Sequence, residues 1–193
     1  MSGRVDYLTR PLSGETWDDF AALVEAHNGV WGGCWCMGFH AEGFQGSAAA
    51  NRDAKRALAE SGAVRQMLVF DGDECVGWCQ YGSPAELSNI KNRKKYEAAE
   101  APLPDWRIGC IFTGSKHRGN GVARAAVAAV LAAIGDAGGG SVEAYPEQTE
   151  GRKPQRGAYL HTGPEELYAE FGFVRDRQIA KWRWVMKAEI PPT

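Results

Sequence analysis

The sequence predicts an α/β (α+β) fold, a mixed central sheet of about six to seven strands flanked by about four helices. Three observations carry this expectation. Apolar runs with strand-like period two alternate along the chain with stretches at helical spacing. The turn Asp71-Gly72-Asp73 joins two apolar runs, so antiparallel hairpins accompany the interleaved helices and the sheet is not purely parallel. The chain has 193 residues, 44% of them hydrophobic and 24% charged, which suits one domain over 1–193 whose core needs no staples.

Taken in order, Arg4 to Leu12 reads as a first strand. Ser13-Gly14-Glu15-Thr16 has the capping hydroxyls and first-turn acid of a helix start, and Trp17, Phe20 and Val24 carry the helix to about His27. Residues 28–46, rich in glycine and aromatics, form an ordered loop. Ser47 opens a second helix, polar on one face, that ends near Gly62. Val64 to Phe70 and Cys75 to Tyr81 are the hairpin strands. Residues 83–105 are polar, with three prolines and Arg93-Lys94-Lys95, and make a long connection with one helical stretch. Trp106 to Thr113 is the next strand, with Ile108, Cys110 and Phe112 on one face.

Gly114 to Gly121 is a turn. The helix after it has an apolar stripe of Val122, Ala126, Val127, Val130, Leu131 and Ile134 and stops at Gly138-Gly139-Gly140. Val142 to Tyr145 is a short strand, and residues 146–161 are a polar loop. Thr162-Gly163-Pro164-Glu165 opens a short helix, capped by the threonine hydroxyl, that ends by Gly172. Phe173 to Gln178 and Ile179 to Ile190 are the last strands, with Lys181 and Arg183 alternating against Trp182, Trp184 and Met186.

Composition excludes several classes. A formal net charge of -2 gives no footprint for nucleic acid or an anionic membrane surface. The N-terminus has no apolar signal core, and no run approaches the roughly 18 apolar residues of a membrane helix. Five cysteines form no regular framework, so the expectation is a cytoplasmic protein with reduced thiols.

The chemistry concentrates in Cys110 to Ala126. A strand enters a turn holding Arg118-Gly119-Asn120-Gly121, and a helix leaves at once. A helix start presents unpaired N–H groups and a dipole that favours negative charge. Glycines at 119 and 121 let a bulky anion approach the backbone. Together these make a phosphate or pyrophosphate cradle. No Gly-Lys-Ser/Thr follows, and position 124 is Arg where a dinucleotide fingerprint needs its third glycine.

Arg118-Gly119-Asn120-Gly121-Val122-Ala123 resembles the Arg/Gln-x-x-Gly-x-Gly/Ala signature of the GNAT N-acetyltransferase superfamily. Leu167-Tyr168-Ala169-Glu170-Phe171-Gly172-Phe173 is similar to that family's aromatic-Tyr-x-x-x-Gly-Phe segment. The resemblance covers residues 64–190 well and the N-terminal third by topology. It implies the acyl-CoA N-acyltransferase fold and acetyl-CoA as cosubstrate, bound between two splayed central strands, with no metal. Main-chain groups of Ile111, Phe112 and Thr113 would line the pantetheine arm. His117, Arg118, Gly119, Asn120, Gly121, Val122 and Ala123 would surround the pyrophosphate. Tyr168 would be the general acid, giving its proton to the departing thiolate after direct attack by an amine, since its ordinary pKa is near that of an alkyl thiol. The strand before the signature carries no Glu where many relatives have one, so the base stays open between Asp105, Glu143, His161 through water, and an amine that arrives neutral.

Other features carry two readings each. Trp31, Trp35 and Trp78 either line the pocket of the amine acceptor, a small molecule or peptide, or pack in the core. Cys34, Cys36 and His40 lack the spacing and second pair of a zinc site. Cys110 reads as a nucleophile or, better, as a buried strand cysteine, and Arg93-Lys94-Lys95 as a site for the coenzyme A 3′-phosphate or an acidic substrate or, better, as a solvated charge run. A homodimer is compatible with the resemblance. The rival functions are an acyl-CoA-binding sensor module of the same fold that has lost catalysis, and a binder of other phosphate ligands.

Overall fold

The computed structural model describes residues 6–155 and 157–193; the beginning of the expected first strand, Arg4 included, lies outside them. Strands are β1 (Leu8–Pro11), β2 (Gln66–Asp71), β3 (Glu74–Gly82), β4 (Trp106–Thr113), β5 (Gly140–Ala144), β6 (Val174–Ala180) and β7 (Arg183–Ile190). Helices are α1 (Trp17–Glu25), α2 (Ala48–Glu60), α3 (Arg93–Glu97), α4 (Val122–Asp136) and α5 (Glu165–Ala169). The strands form one seven-stranded sheet in the order β1-β2-β3-β4-β5-β7-β6. Of these strands only β4 and β5 pair in parallel; every other pair is antiparallel. Among the described residues no helix is long and apolar enough to cross a membrane.

Each sheet face has its own core. On one face, α1, residues of the 28–46 loop and Tyr96 of α3 pack on Leu68, Phe70, Trp78, Cys110 and Phe112. On the other, the α4 stripe and Leu167 and Tyr168 of α5 pack on Val69, Val76, Ile108, Ile111 and Val142. Parallel β4–β5 pairing needs a crossover, and α4 supplies it.

The expected face of β4 divides. Ile108 joins Ile111 in one core, while Cys110 and Phe112 enter the other. The cause is a bulge: Cys79 pairs Ile111 but Tyr81 pairs Ile108, so β4 carries one residue more than β3 across Gly109-Cys110. A bulge bends its strand, and β4 leaves β5 at this point, after only Trp106, Arg107 and Ile108 have paired with Val142, Glu143 and Ala144.

Three smaller expectations are corrected. Thr162 does not cap α5: Pro164 holds the cap position without a side-chain bond. The last hairpin turns at Lys181-Trp182, so β6 runs through Ala180. Arg183 is buried, paired with Glu147, whereas Trp184 is only half-buried with Arg175 over its ring at 4.7 Å. A buried guanidinium is tolerated because Glu147 neutralises it.

Candidate active site

Where β4 and β5 separate, two cavities open side by side. The outgoing half of β4 has no β5 partner, and its Ile111 N–H instead donates to the His161 carbonyl at 2.6 Å. By the alternation of an antiparallel ladder, Phe112 then turns its backbone toward Trp78 on β3 and Thr113 turns its backbone outward. Phe112 thus meets the cleft with its side chain. This first cavity, of about 420 Å³, runs from Thr113 and Arg118 to Gly163 and Leu167.

At its outer end lies the glycine turn. Gly119 and Gly121 adopt left-handed φ of +80° and +88°, and a Cβ on either would meet nothing within 4 Å. Gly121 is the N-cap of α4, no side chain caps that end, and the first bond of the helix runs from Ala125 N–H to Gly121. The N–H groups of Val122, Ala123 and Arg124 therefore precede the hydrogen-bond ladder. Open space, early amide groups, a helix dipole and the Arg118 side chain fit a pyrophosphate. The Tyr7 hydroxyl donates to the Asn120 carbonyl at 3.0 Å and braces the turn. Val122 is buried and contributes backbone only. His117 departs from the expected cradle: its ring lies 3.8 Å from Asp71 and 4.0 Å from Glu74 at the β2–β3 hairpin, in a separate depression.

The second cavity, of about 380 Å³, is walled by Trp31, Phe39, Phe44 and Ile90, with Cys36 and Cys110 among its other lining residues. Trp31 lines both cavities. Trp35 and Trp78 do not reach them. Trp35 stacks on Trp17 at 5.9 Å and Trp78 on Phe112 at 4.5 Å, both inside the core.

The sequence profile of the acetyltransferase (GNAT) family matches residues 22–173. This chain belongs to the GNAT acetyltransferase family. No curated protein matches it. Solved structures share the fold at low identity. An N-acetyltransferase from Staphylococcus aureus Mu50 is 12% identical over 96% of this chain and 98% of its own, with a TM-score of 0.54. An acetyltransferase from Thermus thermophilus is 13% identical over 96% and 98%, with a TM-score of 0.55. Salmonella typhimurium yncA, solved with its cofactor acetyl-CoA, is 10% identical over 95% and 94%, with a TM-score of 0.55.

In this GNAT chain Tyr168 is fully buried, and its hydroxyl donates to the Thr162 carbonyl at 2.9 Å. Burial holds its phenol pKa well above the ordinary value, which keeps the group protonated at neutral pH but removes the match to an alkyl thiol that the sequence suggested, and the ring lines neither cavity, lying behind Gly163 of the cleft wall. The Thr162 hydroxyl is buried without a partner among the described residues, next to Gly163 of the cleft wall.

Of the three side chains offered as base, two stand elsewhere. Asp105 is exposed and bonded to Ser141 N–H and Oγ, both at 2.8 Å. Glu143 is fully buried, taken by the Tyr96 and Tyr145 hydroxyls at 2.7 and 3.0 Å and by Arg177 at 3.3 Å. His161 alone lines the second cavity. Its Nδ1 lies 2.7 Å from the Ala158 carbonyl, which requires the proton there and leaves Nε2 a lone pair. Burial, then the charge of Lys91, lowers its pKa to about 4, so the ring is neutral at pH 7.

The thiols are held by a polar cluster that the sequence did not disclose. Lys55 of α2 is fully buried, its Nζ 2.8 Å from His40 Nε2, and Gln80 Nε2 lies 2.7 Å from the same nitrogen. The Cys36 thiol reaches Gln80 Oε1 at 3.5 Å. The Cys36 sulfur beside it, with burial, holds Cys110 well above the ordinary thiol range, so Cys110 is no nucleophile. Among the described residues no group of three or more His, Cys, Asp or Glu is placed to hold a metal. Phe39, Phe44, Ile90 and Lys91 line the second cavity without having been singled out in the sequence. The available signal was Phe39 and Phe44, large aromatics in a glycine-rich loop.

Proposed function

We propose that the protein is an acetyl-CoA-dependent N-acetyltransferase that passes the acetyl group to a primary amine by direct attack. The observation that carries the reading is the pair of cavities meeting at Trp31, one with a glycine cradle at its end, the other aromatic. Gly119, Gly121 and the first amide groups of α4 would hold the pyrophosphate with Arg118, and the Ile111 and Thr113 backbone would lie along the pantetheine arm. Bound there, acetyl-CoA supplies the activated thioester. The amine enters from the second cavity, and neutral His161 accepts its hydrogen bond through Nε2. The proton the amine loses on attack passes to His161 Nε2; as the C–S bond breaks Tyr168 releases the Thr162 carbonyl and gives its proton to the departing sulfur, and water then carries a proton from His161 back to the phenolate. The protein would work in the cytoplasm with its five thiols free.

Calorimetry of acetyl-CoA on the wild type and on Gly121→Glu tests this. The substitution puts a side chain and a negative charge where a Cβ now meets nothing. Wild-type binding lost in the variant is the expected result; absence of wild-type binding overturns the reading. One observation favours the rival sensor module: among the described residues no carboxylate lines either cavity to act as base. Turnover of acetyl-CoA with any amine excludes that rival.

A further inference from the structure

The second cavity has a charge preference. Among the described residues no Asp or Glu lines it, and its one cation is Lys91. Glu147, the carboxylate in the field of Lys91, is already held by Arg152 at 3.0 Å and by Arg183. Lys55 lies near the thiols of the cavity floor, and its hydrogen-bond partner is neutral His40. The carboxylates near the cavity stand outside its lining, Glu147 paired with arginines and Glu42 in the field of Lys55, and the one lining thiol shifted toward its anion, Cys36, faces Lys55, which leaves Lys91 as the charge offered to a ligand. A ligand bringing a second positive charge would lose water there and gain no counter-ion. A carboxylate would gain one.

Geometry limits where that carboxylate sits relative to the amine. His161 Nδ1 is committed to Ala158, which leaves Nε2 as the nitrogen that can accept an N–H. Lys91 lies close enough for its charge to act on the His161 ring. The two groups that would meet amine and carboxylate line the same cavity, whose remaining wall is mostly aromatic and apolar, with Asn89 and the three thiols as its other polar groups.

We infer that the acceptor is a free α-amino acid with an apolar or aromatic side chain, its carboxylate on Lys91, its amine at His161 Nε2 and its side chain among Trp31, Phe39, Phe44 and Ile90. This rests on the reading of the second cavity as the acceptor site. A protonated polyamine or a lysine-rich peptide does not match it.

The test uses the full chain with L-phenylalanine, 2-phenylethylamine and spermidine. Binding is followed by calorimetry, with and without CoA, and acetylated product by mass spectrometry. Lys91 is exposed, so Lys91→Ala and Lys91→Glu should fold as the wild type does. The expected result is that phenylalanine is acetylated, and that Lys91→Ala raises its KM roughly five- to tenfold with kcat little changed. Lys91→Glu raises it further, whereas 2-phenylethylamine, which has no carboxylate to lose a partner, is not weakened by either variant. Preference for spermidine or 2-phenylethylamine, or a phenylalanine KM untouched by either variant, overturns the inference. If CoA binds but phenylalanine neither binds nor reacts, the inference falls and the acetyltransferase reading stands. If CoA does not bind, that reading fails, and Lys91-dependent binding of phenylalanine to the protein alone still decides the chemistry of the pocket.

Discussion

Tyr168 is fully buried, and burial keeps its proton on while making the phenol a weaker acid, so a proton transfer from it needs a strongly basic acceptor such as a developing thiolate. Burial raises the pKa and keeps the hydroxyl charged with its proton, while the 2.9 Å bond to the Thr162 carbonyl stores that proton until a better acceptor forms. Tyr168→Phe keeps the aromatic body against Phe173, 5.4 Å away, and removes only the hydroxyl. It should cost about 1 kcal/mol of stability, leave acetyl-CoA affinity unchanged, and lower kcat by about 10²- to 10⁴-fold. Steady-state kinetics beside a binding isotherm separates the two effects, and an unchanged kcat would mark Tyr168 as a core residue only. Tyr168 was legible because a glycine and a phenylalanine follow it at a fixed distance. Trp31, Trp35 and Trp78 were not distinguishable, since each sits in an apolar stretch and only distant partners decide which is left half-buried. Lys91 is one lysine among several in a polar connection, and nothing local marks it as facing a cavity.

The loop of residues 28–46 builds the second cavity yet has no strand or helix of its own, so neighbouring elements must hold it. Its backbone is costly: Val30, Trp35 and Cys36 all have positive φ, of 58°, 47° and 56°. Each such residue costs about 1–3 kcal/mol. The strap is α2, capped by Ser47, whose hydroxyl accepts from Ala50 N–H at 3.1 Å. One turn in, Asn51 donates to the Gly33 carbonyl at 2.8 Å and accepts from Gln45 N–H at 2.7 Å, tying down two points of the loop. Lys55, four residues on, is buried on the same side. Asn51→Ala should therefore cost about 2–4 kcal/mol by leaving both backbone groups unpaired. It should raise the acceptor KM while acetyl-CoA binding, proposed to rest on β4 and α4, stays as it was. A parallel loss of cofactor affinity would show that the loop and the cradle form one unit. The helix itself was readable from its cap and spacing. Its orientation was not, because the polar residues that suggest a solvated face include two that point inward to polar partners. The β4 bulge escaped for a similar reason: Gly109-Cys110 continues an apolar run without punctuation, and only the register against β3 reveals the extra residue.

At the scale of the molecule, the cleft between β4 and β5 is a weak joint by construction. The order of strands and of the longer helices was legible, because each announces its own period, whereas five-residue α3 is too short to do so and stood only as a helical stretch in a connection, and the order across the sheet depends on pairings no local pattern encodes. The two halves meet through three β4–β5 residue pairs, and the cleft takes the rest. Glu143 reinforces that joint. It sits on β5, binds Tyr96 of α3 at 2.7 Å, and lies 3.3 Å from Arg177 on β6 and 3.6 Å from Lys187 on β7. Tyr96 in turn accepts from Arg107 of β4 at 3.3 Å, so one carboxylate links strands on both sides of the split. Removing it strands a tyrosine pair and a mostly buried arginine, and Glu143→Ala should lose about 3–5 kcal/mol. Acetyl-CoA bound as proposed, from β4 to the start of α4, would bind the native state alone. At about a hundred times its Kd it should add about 2.7 kcal/mol to wild type and variant alike. Urea midpoints of both proteins, with and without cofactor, check the whole claim. A loss under about 1 kcal/mol would mean that the three strand pairs hold the halves unaided. Cofactor stabilisation present in the wild type and absent in the variant would mean that Glu143 also sets the width of the cleft.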